Sequence, residues 1–189
     1  MLLIDVQRDF WTDEMSAAFP DYERNVGELL TLCRRERIEV VHLRARFRPD
    51  QTDWMVKYRF LDRIPCIEGT PGAEIFPCAA EGAGEKVIIK QSYDGFQNPE
   101  LGAYLSGKKK GFLLIAGLVT SVCVLFTAAT AAQNGYLVGI VEDCCGDNPE
   151  AHEHTLQRYP FVFCRTTSAQ IIDNWQAWTD QINQLGACS

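Results

Sequence analysis

Six short, nearly continuous apolar runs punctuate this chain, and helical spacing separates most of them. "MLLI" ends at Asp5, "VVHL" lies at 40–43, "VII" at 87–89, "FLLIAG" at 112–117, "LVGIV" at 137–141 and "FVF" at 161–163. A strand that reads as continuous apolar sequence, not as an alternation, is buried on both faces. Between the runs, "YERNVGELLTLCRRER" puts Val26, Leu29, Leu30 and Cys33 on one helical side. "PELGAYLSG" opens with Pro99 and stops at Gly107, and "NPEAHEHTLQRY" has Pro149 in its first turn. "SAQIIDNWQAWTDQINQL" reads as a closing helix. Strands alternating with helices imply right-handed crossovers and a largely parallel sheet. The expected fold is a three-layer α/β/α, Rossmann-like arrangement, with a six-stranded, mainly parallel sheet and helices on both faces. A length of 189 residues suits one domain, 1–189, with a sizeable core.

The stretch from Arg44 to Lys86 is too long and irregular for a single crossover helix. Insertions of this kind serve as lids or oligomer contacts. Trp54, Met55, Tyr58 and Phe60 could supply such a contact.

Composition excludes some functions. Hydrophobic residues make up 47% and charged residues 23%, as in ordinary globular domains. A net charge of −7 gives no electrostatic footprint for nucleic acid or an anionic membrane. The one basic run, Lys108-Lys109-Lys110, reads as a solvated turn. Gly111 to Ala132 is free of charge and close to the ~20 residues that cross a bilayer. A buried strand followed by a helix with a Gly stop explains that run better. The chain as given reaches Asp5 before a signal-type apolar stretch could form. The eight cysteines are scattered and form no CxxC pair, so no zinc knuckle is expected. Reduced thiols and a cytoplasmic location are the corresponding expectation.

Ligands of open parallel sheets bind beyond the carboxyl ends of the strands. Three chemically notable features lie at such ends: Asp5, Lys90 and the turn "GLVTSVC" leading to Cys123. A buried Asp after a strand is costly unless paired, and so is a Lys after "VII". Each makes sense of the other. A cysteine attacks as its thiolate and needs a nearby cation, a proton acceptor or a helix amino terminus. Lys90 and Asp5 are candidates for the first two, and Thr120 and Ser121 are good caps for the third. Taken singly, each residue has a plainer reading: Cys123 as packing, Asp5 as a helix cap, Lys90 as a solvated side chain.

"LLIDVQRDF", "VIIKQSYDGF" and "LIAGLVTSVCVLFTAATAAQNGYLVGIVEDCC" together resemble the isochorismatase-like superfamily of cysteine hydrolases, over nearly the whole chain and in the right order. The resemblance implies catalytic Asp5, Lys90 and Cys123. It also implies a cis peptide between Leu118 and Val119, with an oxyanion hole from the backbone N–H groups of Val119 and Cys123. The implied reaction is hydrolysis of a small-molecule amide or carbamoyl C–N bond through a thioester, releasing ammonia. An alternative is vinyl ether hydrolysis of the isochorismatase type, using Asp5 and Lys90 without the thiol. A catalytically silent binding protein is a third reading. Metal-dependent members carry an Asp-x-His and a further His, whereas His42, Asp50 and Asp53 lack that spacing. His152 and His154, two apart on a helix, do not share a face. No metal and no cofactor are therefore expected.

"HLRARFRPD" looks like a segment of the metal-free amidohydrolase-like members. Arg44, Arg46 and Arg48 would point one way along a strand, and Arg44 is the candidate for holding a substrate carboxylate. Phe10, Trp11 and Phe96 are candidate pocket walls. Asp143 is expected to cap the "CGDNPE" turn. The expected partners are a small-molecule substrate and further copies of the chain in a dimer or tetramer, with no nucleic acid and no membrane.

Overall fold

A computed structural model describes residues 1–61, 63–108 and 111–184. Lys109, Lys110 and Cys188 lie outside the described residues. In chain order the elements are β1 (Leu2–Ile4), α1 (Asp13–Ala18), α2 (Tyr22–Arg35), β2 (Val41–Ala45), α3 (Val56–Leu61) and β3 (Lys86–Lys90). They continue with α4 (Pro99–Gly107), β4 (Phe112–Leu118), α5 (Leu125–Gln133), β5 (Leu137–Gly146), α6 (Pro149–Arg158), β6 (Cys164–Thr166) and α7 (Ser168–Gln184). The six strands form one sheet in the order β3-β2-β1-β4-β5-β6, with every pairing parallel. The α/β expectation is met. The strand order reverses between β1 and β4, so a crevice opens beyond their carboxyl ends.

Burial explains why the strands read as apolar runs. Leu2, Ile4, Leu43, Ile88, Ile115 and Ile140 are all sealed from solvent. The helices α2 and α7 pack together over β5, while α5 packs on the turn leading into α4. Right-handed crossovers put these two pairs on opposite faces of the sheet. Helix starts follow local chemistry. Asn98 accepts from Glu100 N–H ahead of Pro99, and Asn148 accepts from the N–H groups of Glu150 and Ala151 ahead of Pro149.

Three elements depart from expectation. The loop after β1 contains α1, whose signal is the "TDEM" start: Thr12 Oγ1 accepts from Met15 N–H. The last strand begins at Cys164, because only Cys164–Thr166 pair with β5. Phe161 is therefore left fully exposed in the preceding turn. Asp143 caps α7, accepting from Ser168 N–H and Oγ, and not the "CGDNPE" turn. The insertion holds α3 and two short 3₁₀ turns, tied back by bridges Gln7–Ile75 and Phe47–Ile67. None of the α3 residues is buried, and Val56, Phe60 and Leu61 face outward. Lys108 pairs with Glu39 at 3.0 Å. No helix among the described residues is long and apolar enough to cross a membrane.

Glu85, just before β3, gathers a polar cluster at one edge of the sheet. It accepts from Arg34 Nε (2.8 Å) and Nη2 (3.0 Å) and from Gly82 N–H (2.7 Å), and faces His42 Nε2 at 2.8 Å. Arg34 leads in lowering the Glu85 carboxyl from 4.5 to about 2. Burial lowers the His42 imidazole below 6.5 despite Glu85. The unfolded chain takes up more protons at both sites, at His42 below pH 6.5 and at Glu85 between pH 4.5 and 2. Stability contributed here is therefore present at neutral pH and lost with acid. Glu85→Gln is expected to cost roughly 1–2 kcal/mol at pH 7, after discounting for partial exposure, and to flatten the acid limb. Urea midpoints measured against pH check both.

Candidate active site

Asp5 follows β1 directly and has a φ of 48°, in the left-handed region that Asp enters more readily than most residues. That turn aims its carboxylate back over the end of β2. Asp5 Oδ1 accepts from Ala45 N–H at 2.8 Å. Gln7 reinforces the corner: its Oε1 accepts from the same Ala45 N–H, and its Nε2 donates to the carbonyls of Ala45 and Ala73. Asp9 Oδ2 accepts from Cys66 N–H at 2.6 Å and packs so closely on Gly72 that a side chain there would overlap its carboxylate. The "DVQRDF" motif thus ties β1 to β2 and to the insertion.

Lys90 is the last residue of β3, in register with Ala45 of β2. With β2 lying between β3 and β1, the small Ala45 leaves room for Lys90 to cross to Asp5. Lys90 Nζ sits 2.7 Å from Asp5 Oδ2, donates to Ser92 O at 2.7 Å, and lies 3.6 Å from Cys123 Sγ. Asp5, Lys90 and Cys123 are 0%, 1% and 4% exposed. The structure therefore brings together all three residues singled out at strand ends.

Cys123 lies in a π-helical turn, Thr120–Val124, between β4 and α5. The Leu118–Val119 peptide bond is cis. Thr120 and Ser121 do not cap this turn through their own side chains. Asp147, after β5, takes that place, accepting from Ser121 N–H (2.7 Å), Ser121 Oγ (2.6 Å) and Asn148 N–H (2.7 Å). Thr120 Oγ1 pairs with His152 Nδ1 at 2.8 Å. Sequence reasoning missed both partners, because nothing local links them to a turn 26 and 32 residues earlier.

The protonation pattern follows from burial. Desolvation raises the Asp5 carboxyl, with Lys90 as the main opposing influence. Burial, and then the Asp5 charge, push the Cys123 thiol well up, against Lys90. Desolvation works against the Lys90 charge, but the groups it faces, Asp5 first, hold the ammonium above its usual value. The resting arrangement is thus an ion pair beside a neutral thiol.

A cavity of about 190 Å³ opens above Cys123, lined by Phe10, Phe47, Tyr58, Tyr93, Val119 and Val122 together with Lys90 and Cys123. Of the expected pocket walls, Phe10 is there. Trp11 is not: it stacks on Tyr22 at 4.5 Å between centroids and donates to Ser16 Oγ. Phe96 packs on Tyr136, away from the lining. Arg44 points to the other side of β2 and pairs with Glu81. Arg46 faces Glu68, and Arg48 binds Asp50. Phe47, Tyr58 and Tyr93 were not anticipated as walls.

The residues weighed above as metal ligands are engaged with one another or with their neighbours. Asp50 is bound to Arg48, Asp53 accepts from Arg48 N–H, and His42 is turned to Glu85. No group of acidic, His and Cys side chains among the described residues is placed to hold a metal ion.

The chain matches the Isochorismatase domain model over residues 1–171. It is 29% identical to maleamate amidohydrolase of Pseudomonas putida over 164 residues, covering 82% of this chain and 76% of that protein. It is 39% identical to a secreted isochorismatase effector of Verticillium dahliae over 151 residues, 78% of this chain and 72% of the other. Its backbone superposes with a TM-score of 0.81 on an isochorismatase family protein of Desulfovibrio vulgaris, 26% identical, covering 93% and 96% of the two chains.

One backbone position guards this geometry. Gly117 has a φ of 125°, and a side chain there would meet Ile4 O at 2.0 Å. Gly117→Ala is expected to destabilise the fold by more than about 2 kcal/mol, measured by urea unfolding, because conformation and space both refuse it.

Proposed function

We propose that this chain, which belongs to the isochorismatase family, hydrolyses the C–N bond of a small-molecule amide with Cys123 as nucleophile. The observation that carries the reading is the sealed Asp5–Lys90–Cys123 cluster at the floor of an apolar cavity. Asp5, with its raised carboxyl, serves as a proton acceptor for a thiol that burial keeps neutral. The names of relatives, such as maleamate amidohydrolase, support C–N bond chemistry.

Asp5 takes the thiol proton as sulfur bonds to the carbonyl carbon. The N–H groups of Val119 and Cys123 would receive the developing oxyanion. The C–N bond breaks as Asp5 returns the proton to nitrogen, releasing ammonia and leaving a thioester. Water then attacks that carbon and gives a proton to Asp5. The S–C bond breaks, the acid leaves, and sulfur regains its proton. Lys90 stays protonated throughout, holding Asp5 in place and offsetting negative charge on sulfur.

Ammonia release from a panel of primary amides tests the reading. Cys123→Ala and Asp5→Asn are each expected to lower kcat/KM by roughly 10³-fold or more. Isochorismate turnover that survives Cys123→Ala would replace this reading with vinyl ether hydrolysis. The pH profile carries a further signature. Activity needs ionised Asp5, so its acid limb is expected above the ordinary carboxylate value of 3.8. Lys90→Met removes the cation that holds Asp5 down, so any residual activity is expected to lose its acid side at still higher pH.

A further inference from the structure

Among the described residues, the cavity above Cys123 holds positive charge only at Lys90, and that charge is already committed. Its ammonium faces Asp5 at 2.7 Å, Ser92 O at 2.7 Å and Cys123 Sγ at 3.6 Å, which occupies its donors. No other cationic side chain is among the described residues that line the cavity. The nearby arginines are engaged elsewhere: Arg44 with Glu81, Arg46 with Glu68, Arg48 with Asp50 and Arg59 with Thr52 O. A substrate carboxylate entering here would lose its water, meet no free cation and lie near the Asp5 carboxylate. A buried, unpaired charge of that kind is strongly disfavoured.

The walls favour something else. Phe47 meets Tyr58 edge to face at 5.6 Å, Tyr58 meets Tyr93 edge to face at 6.2 Å, and Tyr93 stacks against Phe126 at 6.2 Å. This run of rings leads from the buried end of β2 to the surface, with Val119 and Val122 near the nucleophile. Burial, and then Tyr93, push the Tyr58 phenol upward, so it stays uncharged. A ring chain of this kind receives a flat, unsaturated group by stacking or edge contact. The volume, about 190 Å³, falls below the roughly 300–1,000 Å³ of drug-sized sites. It suits one small ring or a short acyl group.

Resting on the hydrolase reading of the same site, we propose that the substrate is an uncharged primary amide whose acyl group is flat and aromatic or conjugated, and not an acid-bearing amide. Phe47, Tyr58 and Tyr93 determine that specificity.

Binding separates this proposal from the catalytic reading, because it needs no turnover. Benzamide, butanamide and succinamate would be titrated calorimetrically into the Cys123→Ala protein, with ammonia release from the same amides followed in the wild type. Butanamide and succinamate differ by the carboxylate, and benzamide adds the ring. Butanamide is expected to bind at least ~100-fold more tightly than succinamate, reflecting the unpaired charge. Benzamide is expected to exceed butanamide by about tenfold. Tyr93→Ala, added to Cys123→Ala, is expected to erase the advantage of benzamide over butanamide. Succinamate binding best, or benzamide binding no better than butanamide, overturns the proposal even if amides are hydrolysed. The predicted binding order with no ammonia released from any amide supports the pocket assignment and overturns the hydrolase reading instead.

Discussion

The buried ion pair between Asp5 and Lys90 is the constraint around which this molecule is arranged. Two opposite charges, 2.7 Å apart and almost fully sealed, are stable only while both are present and both are hydrogen-bonded. Removing one partner of such a pair typically costs ~3–5 kcal/mol, because the survivor is left buried and unmatched. The surroundings meet that demand. Ala45 N–H bonds one Asp5 oxygen, the Lys90 ammonium faces the other at 2.7 Å as its counter-ion, and Ser92 O takes a proton of the ammonium. Well-packed apolar residues could fill the same volume at no loss of stability. The pair makes better sense as chemistry than as scaffolding.

Sheet topology delivers the three residues. The reversal of strand order at β1 and β4 puts Asp5 beside the turn that carries Cys123. Lys90 arrives from two strands away, over Ala45. The supports of the cysteine turn come from the far side, through Asp147 and His152. Cys123 is thus clamped between the two halves of the sheet. The insertion supplies the cavity roof through Tyr58, and Asp9 anchors it to the first strand through Cys66.

What the sequence made legible follows from what each residue's role depends on. Asp5, Lys90 and Cys123 could be found because each is polar or nucleophilic at the end of an apolar run, a pattern set along the chain. The parallel fold was readable for the same reason. Arg44 misled because parity along β2 fixes which residues share a side but not which side faces the site. Glu81 and Glu85 hold that opposite side and draw Arg44 and His42 toward it. Trp11 lies one residue past Phe10, and that single step turns it onto Tyr22. Tyr58 reaches the cavity from α3 inside the insertion and Tyr93 from the loop after β3, and only tertiary packing determines where those segments lie. Asp147 looked like a turn residue, and its partner became visible only with β4 and β5 side by side.

A covalent acyl group at Cys123 is what the proposed chemistry requires. Intact-protein mass spectrometry of samples acid-quenched during turnover of a hydrolysed amide addresses it directly, with peptide mapping to locate any adduct. A mass increase equal to the acyl group, confined to the peptide containing Cys123 and absent from Cys123→Ala, is the predicted result. Undiminished turnover by Cys123→Ala, with no adduct in the wild type, would contradict the account and leave Asp5 and Lys90 to act without the thiol.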